Sequence, residues 1–200
     1  MKKGLLLVVS GPSGCGKGTV LGGIVSELGL SYSVSATTRA MREGEIDGVN
    51  YHYMTNDQFE KLIDEDKVLE YTNYCGNYYG TLRDEVEKRR NNGEDVLLEI
   101  EVVGAGNVKR ICPDAVLIFI APPSVAELER RLRKRGTETD AVIAERVSQA
   151  EREIRCAAQY DYVVINGALE KAVDDVASII KAERISAENK EKLISEVLNS

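Results

Sequence analysis

The sequence predicts an α/β fold in three layers, with a parallel central sheet and helices on both faces. Four short apolar runs lie at Leu5–Val9, Val96–Ile100, Val116–Ile120 and Tyr162–Ile165, and helix-like stretches separate them. Strands that are apolar throughout are typical of parallel sheets, because helices bury both of their faces. The chain has 200 residues, 43% of them hydrophobic, so we expect one domain with one sizeable core.

Apolar residues recur with helical spacing after the first and the last of these runs. The first set is Val20, Leu21, Ile24, Val25 and Leu28, and the second is Leu169, Val173, Val176, Ile179 and Ile180. Thr55 with Gln58, and Ser124 with Glu127, match the capping box that begins a helix.

Two stretches interrupt the alternation of strands and helices. Residues 33–93 are rich in Tyr, Gly, Thr and Arg and predict an inserted small α+β subdomain. Residues 125–154 are dense in arginine and predict a helical lid, in which Gly136-Thr137-Glu138-Thr139 forms a mobile turn between two helices. Both insertions are expected above the carboxyl ends of the strands, where open α/β sheets bind ligands. The remaining segments are a core of residues 4–32, 94–124 and 155–184, and a charged helical tail at 185–200.

The composition argues against several classes of partner. A net charge of −7 disfavours nucleic acid and anionic membranes, which reward diffuse positive charge. The four cysteines are far apart, without a CxxC pair, which suggests neither a zinc ribbon nor a disulfide scaffold. No segment approaches the ~18 apolar residues that a membrane span needs. We therefore expect a cytoplasmic protein that needs no nucleic acid, membrane or obligate protein partner.

A glycine-rich segment follows the first apolar run and precedes the first helix. It consists of Gly11, Pro12, Ser13, Gly14, Cys15, Gly16, Lys17, Gly18 and Thr19. Glycines let successive N–H groups point at phosphate oxygens, and the helix adds its positive N-terminal end. Lys17 supplies a point charge for the β and γ phosphates. The order of strand, loop and helix predicts a P-loop NTPase fold that binds ATP; the alternative is a glycine-rich turn with a solvated lysine.

The segment departs from the usual phosphate-loop pattern at one position. That pattern has Ser or Thr directly after the lysine, whereas this chain has Gly18 there and Thr19 next. We therefore expect Mg²⁺ to be held largely through water, since this ion dehydrates reluctantly. Glu99 and Glu101, at the end of the second apolar run, stand where a P-loop enzyme keeps an acidic residue for the water shell of the metal.

A second and longer motif lies between the phosphate loop and the lid. It comprises Ser35–Glu45, with the pattern TTRxxRxGE, and Gly48–Tyr51, with the pattern GxxY. It continues with Glu70, with residues 76–81 and with the arginine-rich residues 130–136. This series resembles the signature of guanylate kinases, which are nucleoside monophosphate kinases of the P-loop class.

The resemblance covers residues 4–184 and implies transfer of the γ-phosphoryl group of ATP to GMP, with Mg²⁺. It implies that GMP is bound by Ser35, Arg39, Arg42, Tyr51, Glu70, Tyr79, Gly80 and Thr81. Guanidinium forks and tyrosine hydroxyls suit a phosphate dianion. The Glu70 carboxylate can accept from guanine N1–H and the exocyclic amine, and adenine cannot make this pairing. The sequence leaves open whether dGMP is also an acceptor.

The resemblance further implies that Arg135 and Arg146 are internal arginine fingers of the lid, so the catalytic set is Lys17, Arg39, Arg135 and Arg146. Arg131 is expected at ATP, and Asn166 is expected to border the adenine. Several of these side chains have a simpler structural interpretation. Arg39 and Arg42 could be solvated charges at a strand edge. Tyr51, Tyr78 and Tyr79 could be packing aromatics, which is the favoured interpretation for Tyr78.

Two rival functions remain at this stage. One is a catalytically inactive guanylate-kinase-like binding module, although such domains usually lose the phosphate loop. The other is a P-loop kinase with a different acceptor, against which Glu70 and Ser35 favour guanine.

Overall fold

The computed structural model describes residues 3–74, 76–134 and 139–198. In chain order the elements are β1 (Leu6–Ser10), α1 (Lys17–Leu28), β2 (Ser31–Tyr32), β3 (Ala36–Thr37), β4 (His52–Tyr53), α2 (Asn56–Asp64), β5 (Val68–Tyr74), β6 (Asn77–Leu82), α3 (Arg83–Asn91), β7 (Val96–Glu99), α4 (Val102–Ile111), β8 (Val116–Ala121), α5 (Val125–Lys134), α6 (Asp140–Arg155), a 3-10 helix (Cys156–Gln159), β9 (Tyr162–Ile165) and α7 (Leu169–Leu198). They form two compact units, Met1–Ser10 with Gly29–Leu117, and Gly11–Leu28 with Ile118–Ser200.

A parallel five-stranded sheet has the order β2-β7-β1-β8-β9. The four apolar runs of the sequence form β1, β7, β8 and β9, so the predicted parallel α/β fold is confirmed. Every residue of β1 and β8 is buried, which explains why both strands are apolar except for Ser10 at the end of β1. The fifth strand, β2, was not predicted, because two residues carry no recognisable apolar pattern.

The first unit also contains a four-stranded sheet of order β4-β3-β6-β5, within the predicted insertion. Helix α2 covers it and begins with the predicted capping box, in which both Thr55–Gln58 hydrogen bonds are present. Phe59 of α2 packs in the core of this sheet with Ala36 and Val68. Tyr78 stacks on Phe59 with ring centroids 5.1 Å apart, which confirms its packing role.

In the second unit, α5 and α6 confirm the two helices of the predicted lid, and their shared core contains Leu128, Leu132, Ile143 and Ala150. The connecting residues 135–138, including the predicted turn, lie outside the described residues. The capping box predicted at α5 is only half correct. The Glu127 N–H donates to Ser124 Oγ at 3.1 Å, but the Glu127 carboxylate accepts from Arg130 and Arg131 instead of closing the box.

Helix α7 begins at Leu169 and is continuous to Leu198, so the predicted tail helix is an extension of α7. Of the apolar set that the sequence predicted, Val176 and Ile180 are buried and Val173 and Ile179 are half-buried, whereas Leu169 is exposed. The predicted stripe is therefore correct except at its first residue. In the part of the chain that the structure describes, no helix is long and apolar enough to cross a membrane.

A buried arginine, which the sequence did not indicate, ties the start of β1 to α3. Arg90 donates from Nε to the Gly4 carbonyl at 2.9 Å and pairs with Asp114, while the Gly4 N–H donates to the Arg90 carbonyl at 2.7 Å. Gly4 also runs so close to the chain before β7 that a Cβ would overlap the Glu94 carbonyl oxygen. The position of Gly4, just before β1, therefore has no room for a side chain.

This packing predicts opposite effects of the same substitution at two glycines of the first unit. Gly4→Ala should lower the free energy of unfolding by about 1–3 kcal/mol, the usual cost of overpacking. Gly106→Ala, on the exposed side of α4 with open space at its Cβ, should raise it by about 0.5–1 kcal/mol. Urea unfolding measures both values. A Gly4→Ala protein as stable as the wild type would contradict the close approach at Gly4.

Candidate functional site

The glycine-rich loop joins β1 to α1 and belongs to the second unit. Gly14 and Gly16 have φ angles of 89° and 91°, a conformation that side chains disfavour. Neither position has room for a Cβ. At Gly14 it would lie 2.9 Å from a Leu132 methyl, and at Gly16 it would lie 2.5 Å from Asn166 Nδ2. The loop therefore curls directly before the N-terminus of α1, as an anion-binding loop requires.

Lys17 is the first residue of α1, and its side chain folds back over the loop. Its Nζ donates to the carbonyl oxygens of Gly11 at 2.6 Å and Pro12 at 3.4 Å. The ammonium group thus stands beside the backbone that leads into the helix N-terminus. This places a positive charge and the helix dipole at the same end of α1.

Two side chains from distant parts of the second unit hold the loop at Cys15. Asn166, which directly follows β9 and is 6% exposed, donates from Nδ2 to the Cys15 carbonyl at 2.7 Å. Arg131 of α5 donates to the same oxygen at 3.3 Å and to the Asn166 carbonyl at 2.9 Å. The sequence interpretation placed both residues near ATP, but it missed that they contact the loop itself.

The predicted lid arginines differ in what surrounds them. Arg146 of α6 donates to Ser13 Oγ in the loop at 3.3 Å, whereas Arg135 lies outside the described residues. Arg130 and Arg133 pair with Glu127 and Glu129 on the exposed face of α5, as expected for a solvated helix face. Hydrogen bonds from Arg130, and to a smaller extent from Arg131, hold the pKa of the Glu127 carboxyl at about 2.

In the first unit, the most unusual group is the buried carboxyl of Glu70 on β5, which is 6% exposed. Burial raises its pKa to about 7, although the Thr81 hydroxyl donates to Oε1 at 2.8 Å and opposes the shift. The other oxygen faces Gly104 at the start of α4, where a Cβ would lie 2.5 Å from it. Gly80, opposite Tyr71 in the hairpin, has equally little room, because a Cβ there would lie 2.6 Å from the Glu70 backbone carbonyl oxygen. The Glu70 carboxyl group itself is enclosed between the Thr81 hydroxyl and the backbone at Gly104.

Arg39 follows β3, and Glu45 occupies its guanidinium fork. Two hydrogen bonds join the pair at 2.8 and 3.0 Å, and Glu45 also accepts from the Arg42 N–H at 2.7 Å and from the Tyr53 hydroxyl at 2.8 Å. The bonds from Arg39 hold the pKa of Glu45 at about 2. The sequence interpretation quoted Glu45 only as part of the signature and missed its contact with Arg39.

The other predicted acceptor residues lie on the same small sheet or its loops. The Tyr51 ring is 6.0 Å from the Tyr79 ring and 5.5 Å from the Arg39 guanidinium carbon, so these three side chains form one group. Arg42 is exposed. The Ser35 carbonyl accepts the His52 N–H at 2.9 Å, which fixes the backbone of Ser35 beside β4.

The predicted metal residues Glu99 and Glu101 lie at the carboxyl end of β7. Glu99 accepts from the Tyr32 hydroxyl at 3.0 Å, and Glu101 is the exposed N-cap residue of α4. Across the described residues, no group of three or more His, Cys, Asp or Glu side chains could hold a metal.

The fold and the loop together define the class of this protein. A glycine-rich turn between a buried parallel strand and a helix, with Lys17 over the turn, makes it a P-loop nucleotide-binding protein. The family model "Guanylate kinase" matches residues 3–183. The chain belongs to the guanylate kinase family.

Individual relatives are similar over nearly the whole chain. The guanylate kinase of Shouchella clausii is 48% identical over 198 residues, covering 98% of this chain and 97% of that protein. The guanylate kinase of Bacillus subtilis is 49% identical over 189 residues, covering 94% and 93%. The crystal structure of guanylate kinase from Anaplasma phagocytophilum is 32% identical, with a TM-score of 0.71 over 92% of this chain and 87% of that one.

The Glu70–Thr81 contact predicts the direction of a pKa change. The Thr81 hydroxyl stabilises the ionised carboxylate, so Thr81→Val should raise the Glu70 pKa above its value of about 7. A carbon-13 NMR titration of the glutamate carboxyls measures the shift. Thr72→Val, at a half-buried threonine of β5, is the matched control and should leave Glu70 unchanged. A lower pKa in Thr81→Val would contradict the hydrogen bond.

Proposed function

We propose that this chain transfers the γ-phosphoryl group of ATP to GMP, giving ADP and GDP, and so serves purine nucleotide metabolism and GMP recycling. The observation that carries the proposal is the enclosed carboxyl of Glu70 on β5 of the small sheet, which also contains Tyr79 and is flanked by the loops of Arg39 and Tyr51. The family to which the chain belongs supports ATP as the phosphoryl donor, since the chain has the glycine-rich loop with Lys17 over it.

Guanine recognition follows from the chemistry of Glu70. An ionised carboxylate accepts from two donors side by side, and guanine offers N1–H and its amino group in that arrangement. Adenine presents an acceptor at N1 instead. The Thr81 hydroxyl orients the carboxylate, and the Ser35 hydroxyl adds a polar group for guanine O6. Sites built for such a match reject analogues lacking it by as much as ~10⁴–10⁵.

The phosphate of GMP would bind to Arg39, Arg42, Tyr51 and Tyr79. The fork of Arg39 is already oriented by Glu45 and by the Tyr51 ring, so little conformational freedom is lost on binding. A phosphate dianion carries more charge than the carboxylate and can also use the hydroxyl groups of both tyrosines. It would therefore bind beside Glu45 or displace it from part of the fork.

The triphosphate of ATP would be held by the loop amides, Lys17 and the lid arginines, including Arg135 and Arg146. Glu99 and Glu101 would hold the water shell of Mg²⁺, which would supply positive charge against the phosphates. An oxygen of the GMP phosphate attacks the γ phosphorus, and the bond from that phosphorus to the β–γ bridging oxygen breaks. Positioning and charge stabilisation suffice for this step, so no general base is required.

The lid and the small sheet also have to exclude water, which would otherwise accept the phosphoryl group. We place the reaction in the cytoplasm, where ATP and GMP are available and where the thiols of Cys15, Cys112 and Cys156 stay reduced. The inactive binding module and the kinase with another acceptor are separated from this proposal by one experiment.

That experiment measures ADP release from ATP and Mg²⁺ with GMP, AMP, CMP or UMP. We expect turnover with GMP, and we expect Lys17→Ala to lower kcat by about 10²–10³ because a charge on the transferring group is lost. Lys171→Ala, at an exposed lysine of α7 paired with Asp175, is the matched control and should keep wild-type turnover. Turnover with another acceptor would replace the guanine assignment. GMP binding without turnover would favour the binding module.

The raised pKa of Glu70 predicts how GMP affinity depends on pH. Guanine needs the ionised carboxylate, which is the minor form below the pKa of about 7, so affinity should rise as pH increases. Between pH 6 and pH 8 the ionised fraction changes about tenfold, and the GMP dissociation constant should fall by this factor. The Glu70→Gln variant should bind GMP more weakly. Its GMP dissociation constant should show only the smaller pH dependence that comes from ionisation of the GMP phosphate. Calorimetric titrations measure both; identical pH profiles would contradict the role of Glu70.

A further inference from the structure

One peptide of the glycine-rich loop is held by side chains that lie far away in the sequence. The Cys15 carbonyl accepts from Asn166 Nδ2 at 2.7 Å and from Arg131 Nη1 at 3.3 Å, over separations of 151 and 116 residues. Arg131 is fixed in turn, because Nη2 donates to the Asn166 carbonyl and Nε to Glu127, both at 2.9 Å. All four residues belong to the second unit. The loop is therefore tied to α5 and to the end of β9.

The orientation of this peptide decides what the loop can bind. A trans peptide is planar, so the N–H of Gly16 points away from the side on which the Cys15 carbonyl lies. Gly14 and Gly16 both have φ near +90°, at 89° and 91°, and glycine adopts the alternatives with little penalty. Rotation of the Cys15–Gly16 peptide would exchange the two faces and present a carbonyl oxygen to an anion. Hydrogen bonds to the Cys15 carbonyl from outside the loop would oppose that rotation.

The contacts of Asn166 oppose this rotation. Its side chain is 6% exposed, and it packs so closely on the loop that a Cβ at Gly16 would lie 2.5 Å from Nδ2. The amide donor is thus committed to the loop. The Gly16 N–H points to the side opposite Asn166, which is the side on which a phosphate would accept from it.

We propose that Asn166 is a positioning residue of the phosphate loop: with Arg131, it fixes the Cys15–Gly16 peptide so that the Gly16 N–H faces the triphosphate of the donor. The inference rests on the proposed function, since it takes the loop to hold the donor phosphates. This role of Asn166 differs from a contact with adenine. It would strengthen binding of the triphosphate whatever base the nucleotide carries.

The experiment compares ATP with inorganic tripolyphosphate, which has no base, by calorimetric titration of the full chain with Mg²⁺. Loss of a buried hydrogen bond of this kind costs about tenfold in affinity. We expect Asn166→Ala to weaken ATP and tripolyphosphate by the same factor of about ten, with the dissociation constant of GMP unchanged. Asn107→Ala, the same change on α4, is the matched control and should alter none of the three values.

The alternatives give different results. If only ATP binding weakens, Asn166 contacts the adenine and the inference is overturned, and it is also overturned if neither probe is affected. Asn166→Leu, which keeps the side-chain volume without the donor, replaces the alanine variant if thermal unfolding shows that the latter is not folded. A wild-type chain that binds ATP and turns over GMP upholds the proposed function in all these cases. Absence of both activities would instead remove the proposed function.

Discussion

The conformation of the glycine-rich loop is the constraint on which the second unit depends. A backbone that curls around phosphates has to contain glycine, and glycine loses more conformational freedom on ordering than any other residue. The chain compensates with contacts from distant segments: Asn166 and Arg131 bind the Cys15 carbonyl, and Arg146 binds Ser13. These side chains come from the end of β9, from α5 and from α6. The order of the loop therefore depends on the folding of elements that follow it by more than a hundred residues.

In the first unit the corresponding constraint is the burial of a carboxyl group. Burial against the backbone at Gly104 raises the pKa of Glu70 to about 7, because the enclosed site disfavours the charged form. A ligand with two N–H donors would remove that opposition to ionisation, and a ligand with an acceptor at the same place would add to it. Under the proposed function, the burial of Glu70 would therefore favour guanine over adenine. A solvent-exposed carboxylate, already bonded to water, would discriminate far less.

The sequence predicted the parts of the molecule that follow from local rules. The apolar runs gave four of the five parallel strands, the Thr55–Gln58 pair gave the start of α2, and the glycine pattern gave the loop before α1. It could not predict contacts that depend on tertiary packing. No periodic pattern indicates the Arg39–Glu45 pair, because it depends on the conformation of one loop. The contacts of Asn166 with Cys15 and of Arg90 with Gly4 have no such pattern either, because they join residues far apart in the chain. The Ser124–Glu127 capping box was half wrong for a related reason: Arg130 and Arg131 compete for the same carboxylate.

A common device links the two units in chemistry. Arg39 is held by Glu45, and Arg131 is held in part by Glu127, and the pKa of each glutamate lies at about 2. Both carboxylates therefore stay ionised over the whole physiological range and keep their arginines oriented before any phosphate binds. An arginine without such a partner would sample many rotamers and would lose that freedom on binding. Under the proposed function, these two glutamates would keep oriented one arginine that binds the GMP phosphate, Arg39, and one that holds the phosphate loop, Arg131.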